Sequence, residues 1–470
     1  MTALSPEFLD RLFAFLPPGS WSVDPSDLHE FGRDWTRVHT PAPALVVFPG
    51  STPEVAGCLA LCHEHRVSVV ASGGRTGLSG GAVATNGEVV LSLSRMRRID
   101  PVDPVAATVR VQAGAVTQAV HEQASRHGLT WPVSFASQGS STIGGNIATN
   151  AGGVNVIRYG LTRQWVLGLE VVLADGRVLD LGGALEKNTT GIDLRQLFIG
   201  SEGILGVITD ATLRLCAPPR TRRVMIMALD GLPRVLALLA SIRQAALTVT
   251  AFEFFTEACV ARLQRHRPRR LPWTQAASHY VLIETEAHPS PDAWAESQLE
   301  SGDVIDAVMA TSAAEVSELW SLREGISESL SSTGLPHKND IAVPVSQLPS
   351  FCADLDALVK ETYPGWELVL FGHVGDGNIH VNIMKPDDMT LDEFVAHTAR
   401  GDAAVYSLVQ RYRGSVSAEH GIGLLKTHAL HYSRTREEID LMRALKIVFD
   451  PRGILNPGKV IDARTMAVKT

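Results

Sequence analysis

A chain of 470 residues with 45% hydrophobic and 20% charged content is an ordinary globular composition, too long for one core, so two or three domains of about 150 residues are expected. Its net charge of −8 argues against nucleic acid as the main partner, and no apolar run reaches the ~18 residues of a membrane span. Five scattered cysteines, Cys58, Cys62, Cys216, Cys259 and Cys352, give an odd count without a disulfide framework and fit a reducing compartment.

Met1–Pro18 mixes Leu and Phe with Glu7, Asp10 and Arg11 and lacks the basic start and unbroken apolar core of a signal peptide. It reads as an amphipathic helix in a cytoplasmic protein, with 1–35 an N-terminal helical segment. From Ala44 the chain becomes strand (Leu45–Phe48), turn (Pro49-Gly50) and a helix whose Ser51-Thr52-Pro53-Glu54 offers an N-cap and a first-turn proline. Cys58 and Cys62 stand at i,i+4 beside His63 and His65, but among Ala56, Leu59 and Leu61 they read as small core hydrophobes, not metal ligands.

The strand Val67–Ala71 runs into Ser72-Gly73-Gly74-Arg75-Thr76-Gly77-Leu78-Ser79-Gly80-Gly81. Such a density of glycine lets backbone N–H groups converge on an anion such as a pyrophosphate. After a strand at Thr108–Gln112 and a helix at Val116–His127 comes a second loop, Ser137-Gln138-Gly139-Ser140-Ser141-Thr142-Ile143-Gly144-Gly145-Asn146-Ile147-Ala148-Thr149-Asn150-Ala151-Gly152-Gly153. Small and hydroxylated residues predict a loop that lines phosphate and sugar and packs no core. A hairpin at Asp175-Gly176 and a third small-residue run, Gly200-Ser201-Glu202-Gly203-Ile204-Leu205-Gly206-Val207, complete this region. The Rossmann and P-loop fingerprints are both missing.

Composition shifts at Ala217-Pro218-Pro219-Arg220, where a domain boundary is expected. Strand-like runs (Val224–Leu229, Tyr280–Thr285) then alternate with helical ones (Pro233–Ala246, Ala313–Leu330). The basic run Arg265-His266-Arg267-Pro268-Arg269-Arg270 reads as a solvated loop. In the helix Ala313–Leu330, Val316, Leu319, Trp320, Ile326 and Leu330 trace an apolar stripe containing Arg323, with Ser327 one turn on. An inward arginine must find an anion, either a structural carboxylate or an anionic ligand. Lys338 follows in an expected loop, Gly334–Asp340, ahead of the strand Ile341–Val343.

The most informative stretch is Trp366–Met384, where two β-rich runs flank Asp376-Gly377, the strongest short-range signal for a two-residue hairpin turn. That turn predicts His373 directly across from His380, with Cβ atoms about 5 Å apart, and Asn382 on the same face. Two imidazoles so placed suit one metal ion. The best third ligand is Glu419 in Ser417-Ala418-Glu419-His420-Gly421-Ile422-Gly423, after a short β-like run Gly414–Ser417. A helix Glu437–Phe449, stopped by Asp450-Pro451, and the tail Asn456-Pro457-Gly458-Lys459 close the ordered chain.

Taken together, the loops at 72–81 and 137–153, the Gly200–Gly206 run, the His373-to-His380 motif, Ser417–Gly423 and Asn456–Lys459 resemble the vanillyl-alcohol oxidase type of FAD flavoproteins. Within it they are most similar to the branch that oxidises D-2-hydroxyglutarate. The resemblance implies an α+β fold: a bipartite FAD-binding domain at 36–217, an antiparallel-sheet substrate and metal domain at 218–425, and a segment at 426–470 that returns to the FAD domain. It implies FAD contacts from Ser72, Gly73, Gly74, Arg75, Thr76, Gly77, Gly80 and Gly81 in the first loop. In the second loop it implies contacts from Ser137, Gly139, Ser140, Ser141, Gly144, Gly145, Asn146, Thr149, Asn150, Gly152 and Gly153. Glu202, Gly203, Ile208 and Asn456 complete the implied flavin set.

The resemblance also implies a divalent metal, Zn2+ first with Mn2+ or Co2+ as substitutes, on His373, His380 and Glu419. His420 becomes the general base, Asn382 a substrate contact, and Arg323, Ser327 and Lys338 the surroundings of the distal carboxylate. Ser327 departs from the family threonine but keeps a hydroxyl, and His337-Lys338-Asn339 replaces a lysine flanked by tyrosines. Arg75 stands where some relatives attach the flavin through histidine, and 137–153 holds no Cys or His, which implies noncovalent FAD. The expected partners are a dicarboxylate 2-hydroxy acid, an electron-transfer flavoprotein or quinone-linked acceptor, and a second copy in a homodimer. The rival readings are a D-lactate or glycolate dehydrogenase of the same family and a flavin electron-relay subunit without substrate chemistry. A monocarboxylate site has little use for Lys338, and a relay would have lost some of the metal and base residues, all of which are present.

Overall fold

The computed structural model describes residues 4–219 and 221–461. Met1–Ala3, Arg220 of the expected boundary and 462–470 of the expected C-terminal segment lie outside the described residues. The chain divides into two compact units: Met1–Gly153 with Gly160–Pro218 and Glu419–Thr470, and Val154–Tyr159 with Pro219–Ala418. The first unit is thus rejoined at Glu419, ahead of the expected 426. Val154–Tyr159 joins the second because Asn155 donates to the Thr250 carbonyl (2.9 Å) and Ile157 packs against Gly375, where a Cβ would meet its side chain at 2.6 Å.

In the first unit the helix Pro6–Phe15 is capped by Ser5 and buries Phe8 and Leu12. The helix Thr52–His65 starts as predicted, with Ser51 accepting from the Glu54 N–H, and it buries Cys58 and Cys62. Burial pushes the Cys58 thiol up to about 12, so these sulfurs pack as hydrophobes. One four-stranded sheet runs in the order Trp21–Ser22, Leu45–Val47, Val89–Ser92, Val69–Ser72, the last three parallel. Their unbroken apolar sequences are what a parallel sheet covered on both faces requires. An antiparallel sheet follows in the order Thr108–Gln112, Val207–Arg214, Val166–Val172, Val178–Leu181. The last two strands form the hairpin expected at Asp175-Gly176, with Gly176 at φ +87°.

The returning segment is stitched into this unit. Asn456 N–H donates to the Val69 carbonyl (2.8 Å), and Lys459 Nζ to the Gly81 carbonyl (2.8 Å). Burial pulls the Lys459 ammonium down to about 7, against the opposing pull of Glu88, Glu202 and Asp34.

The second unit is one seven-stranded antiparallel sheet in the order Asp306–Met309, Arg222–Leu229, His279–Glu286, Val249–Thr256, Leu368–Gly372, Asn378–Met384, Pro336–Ala342. The helices Glu257–His266, Ala313–Glu324 and Ile326–Thr333 pack on one face through a core that includes Phe255, Tyr280, Leu282, Leu319, Ile326 and Phe371. Among the described residues no helix is long and apolar enough to cross a membrane.

Four expectations change. The helix expected over 313–330 breaks at Gly325, which caps both pieces. Lys338 lies in the strand Pro336–Ala342, not in a loop, because this segment completes the sheet edge against Asn378–Met384. The run Gly414–Ser417 forms no strand and contributes a single bridge, Ser415 to Ala342. The second glycine loop contains the short helix Ile143–Thr149, whose Ile143 and Ile147 reach the core, so two apolar residues at i,i+4 suffice to bury one side of a loop otherwise built of small residues.

Candidate active site

The hairpin bearing the two histidines differs from the expected one. Phe371, not His373, pairs with His380, and the strands are joined by five residues, His373–Gly377. The His373 carbonyl accepts from the N–H groups of Asp376, Gly377 and Asn378 (3.1–3.2 Å). Asn378 is held by its side-chain amide on Asp340 (2.8 Å) and on the Ile341 carbonyl (2.9 Å). The slip from the predicted register is two residues, and a two-residue slip preserves the face of a strand. His373 and His380 therefore become diagonal neighbours that still meet, with ring centroids 5.4 Å apart. One ligand atom from each histidine and a Glu419 carboxylate oxygen all lie within 4.8 Å of one another. Glu419 follows Ala418, whose N–H donates to the Asp340 carbonyl (3.3 Å).

Each imidazole has a carboxylate behind it. Nδ1 of His373 lies 2.8 Å from Glu253 Oε1, and Nδ1 of His380 lies 3.4 Å from Asp340 Oδ1. A carboxylate at Nδ1 fixes the ring of a metal-binding histidine and leaves Nε2 for the ion, so the donor set fits a divalent cation. Glu253 belongs to the strand Val249–Thr256, in which Phe254 pairs with Gly372, and the next step of that register sets Glu253 opposite His373. Its other oxygen forms an ion pair with Arg323 Nη2 (2.8 Å). The arginine expected to face a substrate carboxylate thus meets its anion inside the protein, its guanidinium also lying over the Phe371 ring at 4.9 Å. Burial raises the Glu253 carboxyl, but the charges of His373 and Arg323 outweigh it and hold the group below the usual carboxylate value.

Lys338 stands directly across from Asn382, and Asp340 directly across from His380. Period-2 alternation puts all four on the face that carries Glu253 and Phe371. Asn382 is buried and donates to the carbonyls of Val369 (3.3 Å) and His380 (3.2 Å). Lys338 has no acidic partner among the described residues, and partial desolvation holds its ammonium below the ordinary lysine value. Ser327 is exposed on the helix beyond the Gly325 break and does not share the buried face of Arg323. His420 directly follows Glu419 in the chain.

Glu253 and Asp340 were not anticipated as site residues. The available signal for Glu253 was a lone acid inside the apolar run Ala251-Phe252-Glu253-Phe254-Phe255, since a charge buried in a strand must be paired.

In the first unit the two glycine loops converge. Gly74 N–H donates to Thr142 Oγ1 (3.2 Å), and a Cβ on Gly74 would stand 2.2 Å from the Ser140 carbonyl oxygen. The buried Ser72 hydroxyl has no hydrogen-bond partner among the described residues. A Cβ on Gly77 or Gly139 would meet no protein atom within 4 Å, so these glycines border open space. An orphan hydroxyl and a glycine-walled space fit a phosphate-bearing cofactor. Arg75 is at φ +56° and pairs with Glu30 (3.2 Å). The Glu202 carboxylate accepts from the N–H groups of Ile422 and Gly423 (2.8 Å each), and Asn456 Nδ2 donates to the Glu202 carbonyl (2.7 Å). Ile208 is a buried strand residue.

Residues 43–182 match the family model described as an FAD binding domain, and residues 218–460 match that of FAD linked oxidases, C-terminal domain. The chain is 46% identical over 445 residues to a D-2-hydroxyglutarate dehydrogenase of Xanthomonas citri pv. viticola, covering 94% of each chain. It is 44% identical over 463 residues to one of Stutzerimonas stutzeri, covering 97% of this chain and 99% of the relative. In fold it is similar to 4-ethylphenol oxidase from Gulosibacter chungangensis, with a TM-score of 0.74 at 17% identity over 98% of each chain.

Proposed function

The chain belongs to the D-2-hydroxyglutarate dehydrogenase family of FAD-linked oxidoreductases and oxidises D-2-hydroxyglutarate with FAD, and from that premise we propose that it does so with a divalent metal held by His373, His380 and Glu419. The observation that carries this reading is the approach of one ligand atom from each of the three residues to within 4.8 Å of the others, a donor set common to Zn2+, Mn2+ and Co2+. His373, His380 and Glu419 would hold the ion, which would supply Lewis acidity to the bound 2-hydroxy acid, and the glycine loops would hold FAD, which would supply the hydride acceptor.

The protein's own residues do the rest. His420 takes the proton of the 2-hydroxyl as general base. Lys338 holds the distal carboxylate, with Asn382 beside it on the next strand and the Ser327 hydroxyl as a further contact. Arg323, paired with Glu253, serves the metal end of the site. The glycine loops hold FAD noncovalently, because Arg75 occupies the attachment position and Ser137–Gly153 contains no nucleophilic Cys or His. Free thiols at Cys58, Cys62, Cys259 and Cys352 support a cytoplasmic protein. An electron-transfer flavoprotein or quinone-linked carrier is the proposed acceptor, and a homodimer the proposed assembly. Lys338, without an acidic partner among the described residues, favours this dicarboxylate over D-lactate or glycolate.

Chelation of the purified flavoprotein tests the metal. Activity on D-2-hydroxyglutarate is expected to fall to background and to return on adding zinc, manganese or cobalt, since two imidazoles and a carboxylate discriminate weakly among them. Full activity in a preparation shown to be metal-free would overturn the proposal.

A further inference from the structure

We propose that Glu253, held by Arg323, is the residue that sets the tautomer and ring orientation of His373, so that Nε2 is the nitrogen offered to the metal. The inference rests on the metal reading above and adds a positioning pair behind it. An ionised carboxylate can only accept, so Nδ1 at 2.8 Å from Glu253 Oε1 carries a proton, and in the neutral imidazole that binds a metal the lone pair then lies on Nε2. The side chain of Glu253 is 1% exposed and that of Arg323 9%. A carboxylate so deeply buried persists as an anion only with a cation beside it, and Arg323 at 2.8 Å is that cation. The pair therefore spans helix and sheet: Arg323 from Ala313–Glu324 fixes Glu253 on Val249–Thr256, and Glu253 fixes the imidazole at the mouth of the hairpin.

A plain salt bridge tying helix to sheet would have the same geometry but no bearing on the ion, so the test reads metal affinity. The FAD-loaded protein is stripped of metal and titrated with zinc against a chromophoric chelator, with flavin absorbance and far-ultraviolet circular dichroism reporting that each variant is folded. Wild type is expected to bind one equivalent, and E253Q, which keeps the shape but loses the charge, to bind it about 10- to 100-fold more weakly, the usual effect of losing a carboxylate behind a ligating histidine. The double variant E253Q/R323M, which strands no buried cation, is expected to remain as weak as E253Q. Wild-type affinity in E253Q would overturn the proposal, as would its recovery in the double variant, because the loss would then come from an unpaired arginine. Failure of wild type itself to bind zinc contradicts the metal reading, and this inference with it, before any variant is compared.

Discussion

Single side chains divide the candidate site into two ends. At the proposed metal end the sequence marked the three residues offered as ligands, because His373, His380 and Glu419 stand out as isolated metal-type residues in turn-rich surroundings. It hid the residues behind them. A lone Glu253 among phenylalanines carries no mark of its partner until the register of Val249–Thr256 against Leu368–Gly372 is known, and Arg323 could have answered either a structural or a substrate anion. At the other end Lys338 is the cation left without an acidic partner among the described residues. Removing one partner of a charge pair that substrate binding buries costs about 2–5 kcal/mol. K338A is therefore expected to lower kcat/KM for D-2-hydroxyglutarate by roughly 30- to 3000-fold, at about 1.4 kcal/mol per decade. D-lactate, which lacks the second carboxylate, should lose much less. Steady-state kinetics on both substrates decide this, and equal losses would mean that Lys338 serves the fold and not the distal carboxylate.

Among the elements, helix and strand positions followed from local chemistry: the cap at Ser51, apolar runs for the parallel strands Leu45–Val47 and Val69–Ser72, and the Asp175-Gly176 turn. The misses share a cause, in that tertiary contacts overrode the local pattern. Asp376-Gly377 looked like a two-residue turn, but Asn378 is drawn onto Asp340 and Ile341 of the neighbouring strand, which lengthens the connection and shifts the register by two. The histidines still converge because an even shift keeps the face. Likewise Lys338 lies in a strand because an edge was available to extend.

The two glycine loops were correctly grouped by composition, although their mutual packing was not visible in either alone. That packing leaves no room at Gly74, where a Cβ would stand 2.2 Å from the Ser140 carbonyl oxygen. G74A is expected to cost about 1–3 kcal/mol of local strain and to separate the loops. The purified protein should show a clearly reduced ratio of flavin to protein absorbance. A normal flavin content would show that loop contact is not what retains FAD.

For the molecule as a whole, the composition shift marked a boundary near Pro218 and the family resemblance implied a returning C-terminal segment, and the contacts divide the chain at Pro218 and at Glu419. The earlier return was not legible because what binds 421–423 to the first unit is the buried carboxylate of Glu202, some 220 positions away, accepting the N–H groups of Ile422 and Gly423. Such long-range backbone capture leaves no local periodicity. The chemistry, however, has to join substrate oxidation to flavin reduction, and that coupling can be watched in one cuvette. Mixed anaerobically with D-2-hydroxyglutarate, the metal-loaded protein should bleach its flavin stoichiometrically. Bleaching should be faster than with D-lactate, glycolate or the L-enantiomer, and should disappear after metal removal. A flavin that D-lactate or glycolate bleaches faster than D-2-hydroxyglutarate, or that bleaches equally well without metal, would contradict the account.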